Sequence, residues 1–362
     1  MNPIGLYLHV PFCVRKCGYC DFYSVCDLSL ADAYTDRLCR DIERLEATAD
    51  TLYIGGGTPS LLGADRLAKI LHTAKHILTP DCEVTVEVNP GDPLERLLPA
   101  LAESGANRLS IGMQSHCDTV LKKLTRRHNA DDVEKAINLA RASGFQNISL
   151  DVMLGVEGLT LPILKDALDF CRDAQADHVS AYMLKIEEGT PYFASLGSMI
   201  LPDEDETAEQ YLYTCETLQG YGFEQYEISN FAKDGKRSRH NMKYWNLDQY
   251  IGIGPAAHSY YKGKRFYYPR DLTRYLNGGE PIDDGSGGDF EEYVMLRLRL
   301  SDGLNFADAL GRYPEQKERL DAIRQAAAPF DKAGLLRCDA ERVSLLPKGF
   351  LVSNSIISEL LL

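Results

Sequence analysis

The stretch GLYLHVPFCVRKCGYC, residues 5–20, decides the reading of the fold. Its opening residues alternate, with Leu6, Leu8 and Val10 on one face of a strand and Tyr7 and His9 on the other. A loop then carries Cys13, Cys17 and Cys20, spaced CxxxCxxC. The strand thus delivers three thiols at its C-terminal end. Further strand-like runs cover residues 52–54, 83–88, 108–113, 148–153 and 178–184. Between them, residues 64–78, 94–103, 131–143 and 161–174 carry apolar side chains at helical spacing. Strand and helix in alternation mark βαβ units, hence a parallel sheet.

The strand faces choose between two such sheets. Val84, Val86 and Val88 oppose Thr85, Glu87 and Asn89; Leu109, Ile111 and Met113 oppose Arg108, Ser110, Gly112 and Gln114; Ile148, Leu150 and Val152 oppose Ser149 and Asp151. A parallel strand covered by helices on both faces reads as continuously apolar. Here one face is apolar and the other polar or small. That favours a partial (β/α)6 barrel whose interior holds a polar ligand over the competing doubly wound sheet, which would want both faces covered by helices. Glu87, Gln114 and Asp151 fall at strand C-terminal ends, where barrel active sites form.

Composition sets the outer bounds. The chain has 362 residues, enough for two domains, with 44% hydrophobic and 25% charged residues, as in an ordinary globular protein. No apolar run approaches the roughly 20 residues that span a bilayer, and MNPIGLYLHVPFC lacks the layout of a secretory signal. The expectation is a cytoplasmic protein. Thirty-nine basic against fifty-three acidic residues leave a net charge of −14, which argues against broad binding to nucleic acid. Residues 202–222 read as another helix, followed by an aromatic, glycine-rich region containing HNMKYW (240–245) and IGIGPAAHS (251–259). The sequence GGEPIDDGSGGD (278–289) reads as a linker. The expected division is residues 1–230, a connecting region 231–285, and a smaller C-terminal α+β module 286–362. That module has a winged-helix-like order, with a hairpin near 335–345 and a final amphipathic helix. Its expected role is to cover the barrel mouth or meet a partner.

Seven of the ten cysteines are scattered and read as inert thiols. Three thiolates within eight residues can wrap a soft-metal centre. Structural zinc needs four ligands, which His9 or Cys26 would have to complete, and no second CxxC half exists. A four-iron cluster held by three cysteines keeps one iron open for a small molecule. Gly55, Gly56 and Gly57, before Thr58, end the second strand and leave backbone N–H groups free to donate.

CxxxCxxC after the first barrel strand resembles the radical S-adenosylmethionine (SAM) superfamily. The resemblance implies a [4Fe–4S] cluster on Cys13, Cys17 and Cys20 whose open iron chelates SAM. The segments LYIGGGTPSLL, VEVNP, NRLSIGMQS, LTRRHN, DVMLG, EEGTPY and YEISNFA are similar to one branch, the oxygen-independent coproporphyrinogen oxidase-like family. That likeness implies SAM contacts at Tyr7, Gly56, Gly57, Thr58, Glu87, Gln114, Arg126 and Asp151.

Two departures point away from oxidase chemistry, the radical decarboxylation of porphyrinogen propionates, and toward the haem-chaperone branch. Phe22 stands where the oxidase pattern has a further cysteine, and only six residues precede Tyr7, too few for the oxidase's N-terminal extension. The chaperone branch implies haem b, a respiratory haemoprotein that accepts it, an electron donor for the cluster, and contact with membrane-bound acceptors; a homodimer is compatible. HNxxYW implies haem contacts at His240 and Tyr244, which at i, i+4 share a helix face. Haem iron takes His or Tyr ligands. The remaining alternatives are an oxidase and a zinc-stabilised binding protein.

Overall fold

The computed structural model describes residues 2–362. Six parallel strands lie in chain order: β1 (Ile4–Val10), β2 (Ala49–Gly56), β3 (Leu78–Val88), β4 (Arg108–Gln114), β5 (Ile148–Leu154) and β6 (His178–Met183). The helices between and after them are α1 (Ala31–Glu43), α2 (Gly63–Ala74), α3 (Leu97–Ser104), α4 (Asp118–Lys123), α5 (Ala130–Ala142), α6 (Leu161–Asp173), α7 (Pro191–Ser195) and α8 (Glu204–Gly220). The apolar face of each strand packs under these helices: Leu6, Leu8, Val10, Ile54, Val86, Leu109, Ile111 and Leu150 are completely buried. The partial (β/α)6 barrel is the observed fold.

Register aligns the inward residues. Tyr7 lies opposite Tyr53, Tyr53 opposite Thr85, and Thr85 opposite Arg108. Glu87 meets Ser110, Ser110 meets Ser149, and Asp151 meets Ser180. Near the end of β4 the register shifts, and Gln114 takes φ 67°. This bulge interrupts the ladder where the side chain meets the barrel mouth. Local signals start the helices: Asn129 and Asp203 form capping boxes for α5 and α8.

The sheet continues beyond the six strands at both edges. At one edge, β8 (Asn230–Ala232) pairs antiparallel with β6, and β7 (Glu224–Gln225) pairs antiparallel with β8. Helix α9 (Arg239–Trp245) carries HNMKYW. At the other edge β9 (Tyr250–Ile253) pairs parallel with β1, and β10 (His258–Tyr261), β11 (Lys264–Tyr267) and β12 (Ile282–Ser286) follow antiparallel. The stretch read as a linker therefore contains an edge strand. Its five residues IDDGS have no apolar period, which is why composition read them as loop.

Residues beyond 289 form helices Phe290–Arg297, Phe306–Arg312, Lys317–Lys332, Pro347–Leu351 and Ser353–Leu361 around a three-stranded antiparallel sheet. They join the barrel side through Arg237–Asp302 (3.0 Å) and through the backbone bond from Ile228 N to Arg299 O (3.0 Å). No residue of this module lines the cavities at the cluster loop, so the expectation that it covers the barrel mouth is not met.

Candidate functional site

The loop after β1 is fastened before any thiol is considered. Cys13 N donates to Val25 O (3.0 Å), Gly18 N to Thr125 Oγ1 (2.8 Å), and Tyr192 N to Gly18 O (2.9 Å). Cys13, Cys17 and Cys20 are all half-buried and line one cavity of about 160 Å³. The same cavity receives Gly56, Gly57, Thr58, Glu87, Gln114, Arg126 and Asp151. Seven of the eight residues proposed for SAM thus converge beside the thiols. Tyr7 does not: its hydroxyl meets His9 Nδ1 at 3.0 Å, and it faces a neighbouring pocket.

Each wall has a physical cause. Gly57 N donates to Val10 O (2.8 Å) and Thr58 N to Phe12 O (2.7 Å), drawing the glycine turn against the end of β1. A Cβ on Gly57 would lie 2.6 Å from Phe12 O, and one on Gly56, with φ 110°, would lie 2.7 Å from the His9 ring. Only glycine fits. Gly57→Ala is therefore expected to destabilise the fold by about 1–3 kcal/mol and to lower iron retained after anaerobic reconstitution. An alanine variant with wild-type melting and iron content would refute this account of the turn.

Glu87 accepts from Tyr53 Oη (2.8 Å) and Gly56 N (3.2 Å), and Asp151 accepts from Ser110 Oγ (3.3 Å). Burial pushes Glu87 up to about 7 and Asp151 up to about 6. Arg126 donates to Gly112 O (2.8 Å) and approaches Cys17 Sγ (3.8 Å), while its buried Nε has no partner. Thr58 Oγ1 lies 3.3 Å from Cys13 Sγ. The arrangement fits the expected groups: thiols beside a backbone cradle, a guanidinium with a spare donor for a carboxylate, and two carboxyls able to accept from an ammonium or hydroxyls. Among the described residues no three His, Cys, Asp or Glu side chains converge on a point for a single ion.

Sequence reading missed Tyr19 and Tyr182, both of which line the cavity. Tyr182 Oη donates to Gln114 Oε1 (2.8 Å) and fixes that amide at the mouth. Its inward parity with His178 and Ser180 was the available signal.

His240 lies deep in the barrel, 1% exposed. Its Nδ1 pairs with Thr51 Oγ1 and its Nε2 with Tyr244 Oη, both at 2.8 Å. The shared helix face with Tyr244 is real, but it points inward. With both nitrogens engaged, the imidazole is not offered to a ligand in this structure. Tyr244 does reach a pocket of about 280 Å³, together with Tyr7, His9, Phe22, Tyr23, Tyr250, His258 and Arg270.

A half-barrel with three loop thiols and a glycine cradle at its mouth defines a radical SAM protein, and residues 7–171 match the profile of the Radical SAM superfamily, with residues 289–352 matching the HemN C-terminal domain. Membership brings a [4Fe–4S] cluster and SAM. Within that class the chain belongs to the HemW family. It is 35% identical, over 99% of its length and 95% of the relative's, to "Heme chaperone HemW" of Mycobacterium tuberculosis, and 34% identical to that of Bacillus subtilis over 98% of both. In fold it is similar to the Escherichia coli coproporphyrinogen III oxidase HemN, with a TM-score of 0.84 and 20% identity, covering 99% of this chain and 90% of that one. No helix among the described residues is long and apolar enough to cross a membrane.

Proposed function

We propose that this protein is a haem chaperone that carries a [4Fe–4S] cluster and SAM, binds haem b and delivers it to a respiratory haemoprotein. The observation that carries the reading is near-full-length similarity to curated haem chaperones. Phe22 supports it: 66% exposed, it replaces the extra cysteine of the oxidase pattern with an apolar lip. Cys13, Cys17 and Cys20 would hold the cluster, and when bound, cluster and SAM together supply reductive cleavage chemistry. Gly56, Gly57 and Thr58 would receive the SAM methionine portion, Arg126 its carboxylate, and Glu87 and Asp151 its ammonium or ribose hydroxyls.

For haem, the pocket that Tyr244 reaches is the better surface. Its aromatic walls suit a macrocycle edge. His258 at its rim is exposed, stacks on Tyr267 (ring centroids 5.2 Å apart), and has no side-chain hydrogen bond among the described residues. HNxxYW would then act through Tyr244, with His240 behind it as a positioning residue.

The test adds haem to anaerobic, cluster-loaded protein with absorbance followed, and coproporphyrinogen III with SAM and reductant to a second sample. A saturable Soret shift without decarboxylation is expected. His258→Ala should weaken it at least tenfold. Turnover of the porphyrinogen without specific haem binding would restore the oxidase reading.

SAM binding should depend on pH. Glu87 and Asp151 must ionise to attract an ammonium, and they do so only above about 7 and about 6. Affinity is therefore expected to fall on the order of tenfold or more from pH 8 to pH 5.5, followed by anaerobic equilibrium dialysis. Glu87→Gln should remove the upper step and leave the lower. A flat profile would remove both carboxylates from the SAM contacts.

A further inference from the structure

The walls of the cluster cavity come from separate loops, and one buried carboxylate ties three of them together. The turn after β2 carries Gly57 and Thr58, the loop after β3 carries Asn89, and the loop after α4 carries Arg126. Asp92 lies behind these walls, its side chain 1% exposed and outside the cavity lining. Its Oδ2 accepts from Ser60 Oγ (2.5 Å), two residues beyond Thr58. Its Oδ1 accepts from Arg127 Nη2 (2.7 Å), next to Arg126. Its own loop is closed by the bond from Asp92 N to Asn89 O (3.1 Å), and Ser60 Oγ accepts from Asn89 N (3.3 Å). All three loops hang on one carboxyl group.

A buried charge is costly unless it is paired and hydrogen-bonded, and here a hydroxyl and a guanidinium use both oxygens. Charge-assisted bonds are short and geometrically specific, so the spacing set at Asp92 passes along each loop to the thiols. On one side Thr58 Oγ1 lies 3.3 Å from Cys13 Sγ; on the other Arg126 Nη1 lies 3.8 Å from Cys17 Sγ. The Arg126 loop also grips the cluster loop directly. Thr125 Oγ1 accepts from Gly18 N (2.8 Å), and Thr125 O accepts from Arg15 Nη2 (3.0 Å). Packing leaves little slack beside Asp92, since a Cβ on Gly91 would lie 3.1 Å from His128 Cβ.

We propose that Asp92 is a positioning residue: it holds the glycine turn and the Arg126 guanidinium in one fixed arrangement about the three thiols. Its effect on SAM rests on the assignment of Gly56, Gly57, Thr58 and Arg126 above; its effect on the surroundings of Cys13 and Cys17 does not.

The test uses full-length, cluster-loaded protein under anaerobic conditions, as wild type, Asp92→Asn, Ser60→Ala and the double variant. Asparagine keeps the shape but turns one acceptor oxygen into a donor, so it can serve Ser60 or Arg127 but not both as found. Ser60→Ala cuts only the arm to the glycine turn. Ser60 too lies outside the cavity lining, so this variant carries the test should Asp92→Asn fail to fold. Equilibrium dialysis measures SAM affinity, and electron paramagnetic resonance records the reduced cluster with and without SAM. Asp92→Asn is expected to retain its iron, to bind SAM about tenfold or more weakly, as supporting residues of a cofactor site do, and to show a shifted spectrum even without SAM. Ser60→Ala should lose about threefold. The double variant should bind within about twofold of Asp92→Asn alone, because both changes sever one chain. Wild-type affinity and spectrum in folded Asp92→Asn, even with a lower melting temperature, would make Asp92 a merely structural residue and overturn the proposal, leaving the SAM reading standing. Additive losses in the double variant would overturn it as well. If wild type binds no SAM, that reading falls and the SAM-free spectra decide: a shift in Asp92→Asn upholds the proposal, and an unchanged spectrum overturns it.

Discussion

Replacing Cys13, Cys17 and Cys20 together by alanine is expected to abolish iron and acid-labile sulfide uptake while leaving the fold in place. Wild type should take up about four irons per chain; the triple variant should stay at background. The expectation separates two roles because the loop is secured by backbone and hydroxyl contacts rather than by sulfur. Val25 N donates to Pro11 O (2.8 Å) and Cys20 N to Cys17 O (3.1 Å), and the Thr125 hydroxyl holds Gly18. Loss of the thiols should therefore leave far-UV circular dichroism unchanged. Burial raises the Cys20 thiol, and a cation that stabilises its thiolate counters that burial. Single variants should each lose most of the iron, with Cys26→Ala as the control: it is exposed and lines neither cavity. Iron and sulfide assays after anaerobic reconstitution decide the matter. Four irons on the triple variant would move the cluster to other ligands.

What the sequence disclosed and what it hid follow from the range of each interaction. Strand parity is local, so the inward set of Thr85, Glu87, Arg108, Ser110 and Asp151 was legible from alternation alone. The cluster loop was legible because all three thiols lie within eight residues. Strands β9 to β12 were not, because strands of only four or five residues, such as YIGI, carry too few residues to set a period. Tyr7 shared the inward parity of β1 yet opened into a different pocket, because Tyr250 of β9, His258 of β10 and the loop at Tyr23 build a second wall beside it. For His240 the i, i+4 relation to Tyr244 was correctly read, but spacing cannot say which way a helix face turns. That is set from β3, where the Glu83 carboxylate accepts from Arg239 N (3.1 Å) and His240 N (3.0 Å) across more than 150 residues of chain.

That placement makes His240→Ala a second large and discriminating perturbation. The substitution leaves a cavity among Tyr7, Tyr53 and Tyr244, whose rings surround the imidazole, and strips partners from the Thr51 and Tyr244 hydroxyls. Together these effects should lower unfolding free energy by about 2–4 kcal/mol, visible as a lower denaturant midpoint. The pH dependence has a defined sign. Burial, with the charges of Lys243 and Arg108, lowers His240 from its ordinary value to about 3. The unfolded chain thus binds a proton between about 6.5 and about 3 that the folded chain refuses. His240 is fully compatible with the fold above pH 6.5 and opposes it increasingly as pH falls through that window. His240→Ala should therefore show a shallower loss of stability between pH 6.5 and 4 than wild type, although it starts lower. A directly ligating histidine predicts another pattern: wild-type stability and a lost Soret shift. His240→Gln, which can still engage one of the two hydroxyls, separates the cases at temperatures where it is folded. On the geometry found here it keeps haem binding within about threefold, a difference below 1 kcal/mol, whereas His258→Ala loses it. Loss of haem binding in folded His240→Gln would return the ligand to the helix.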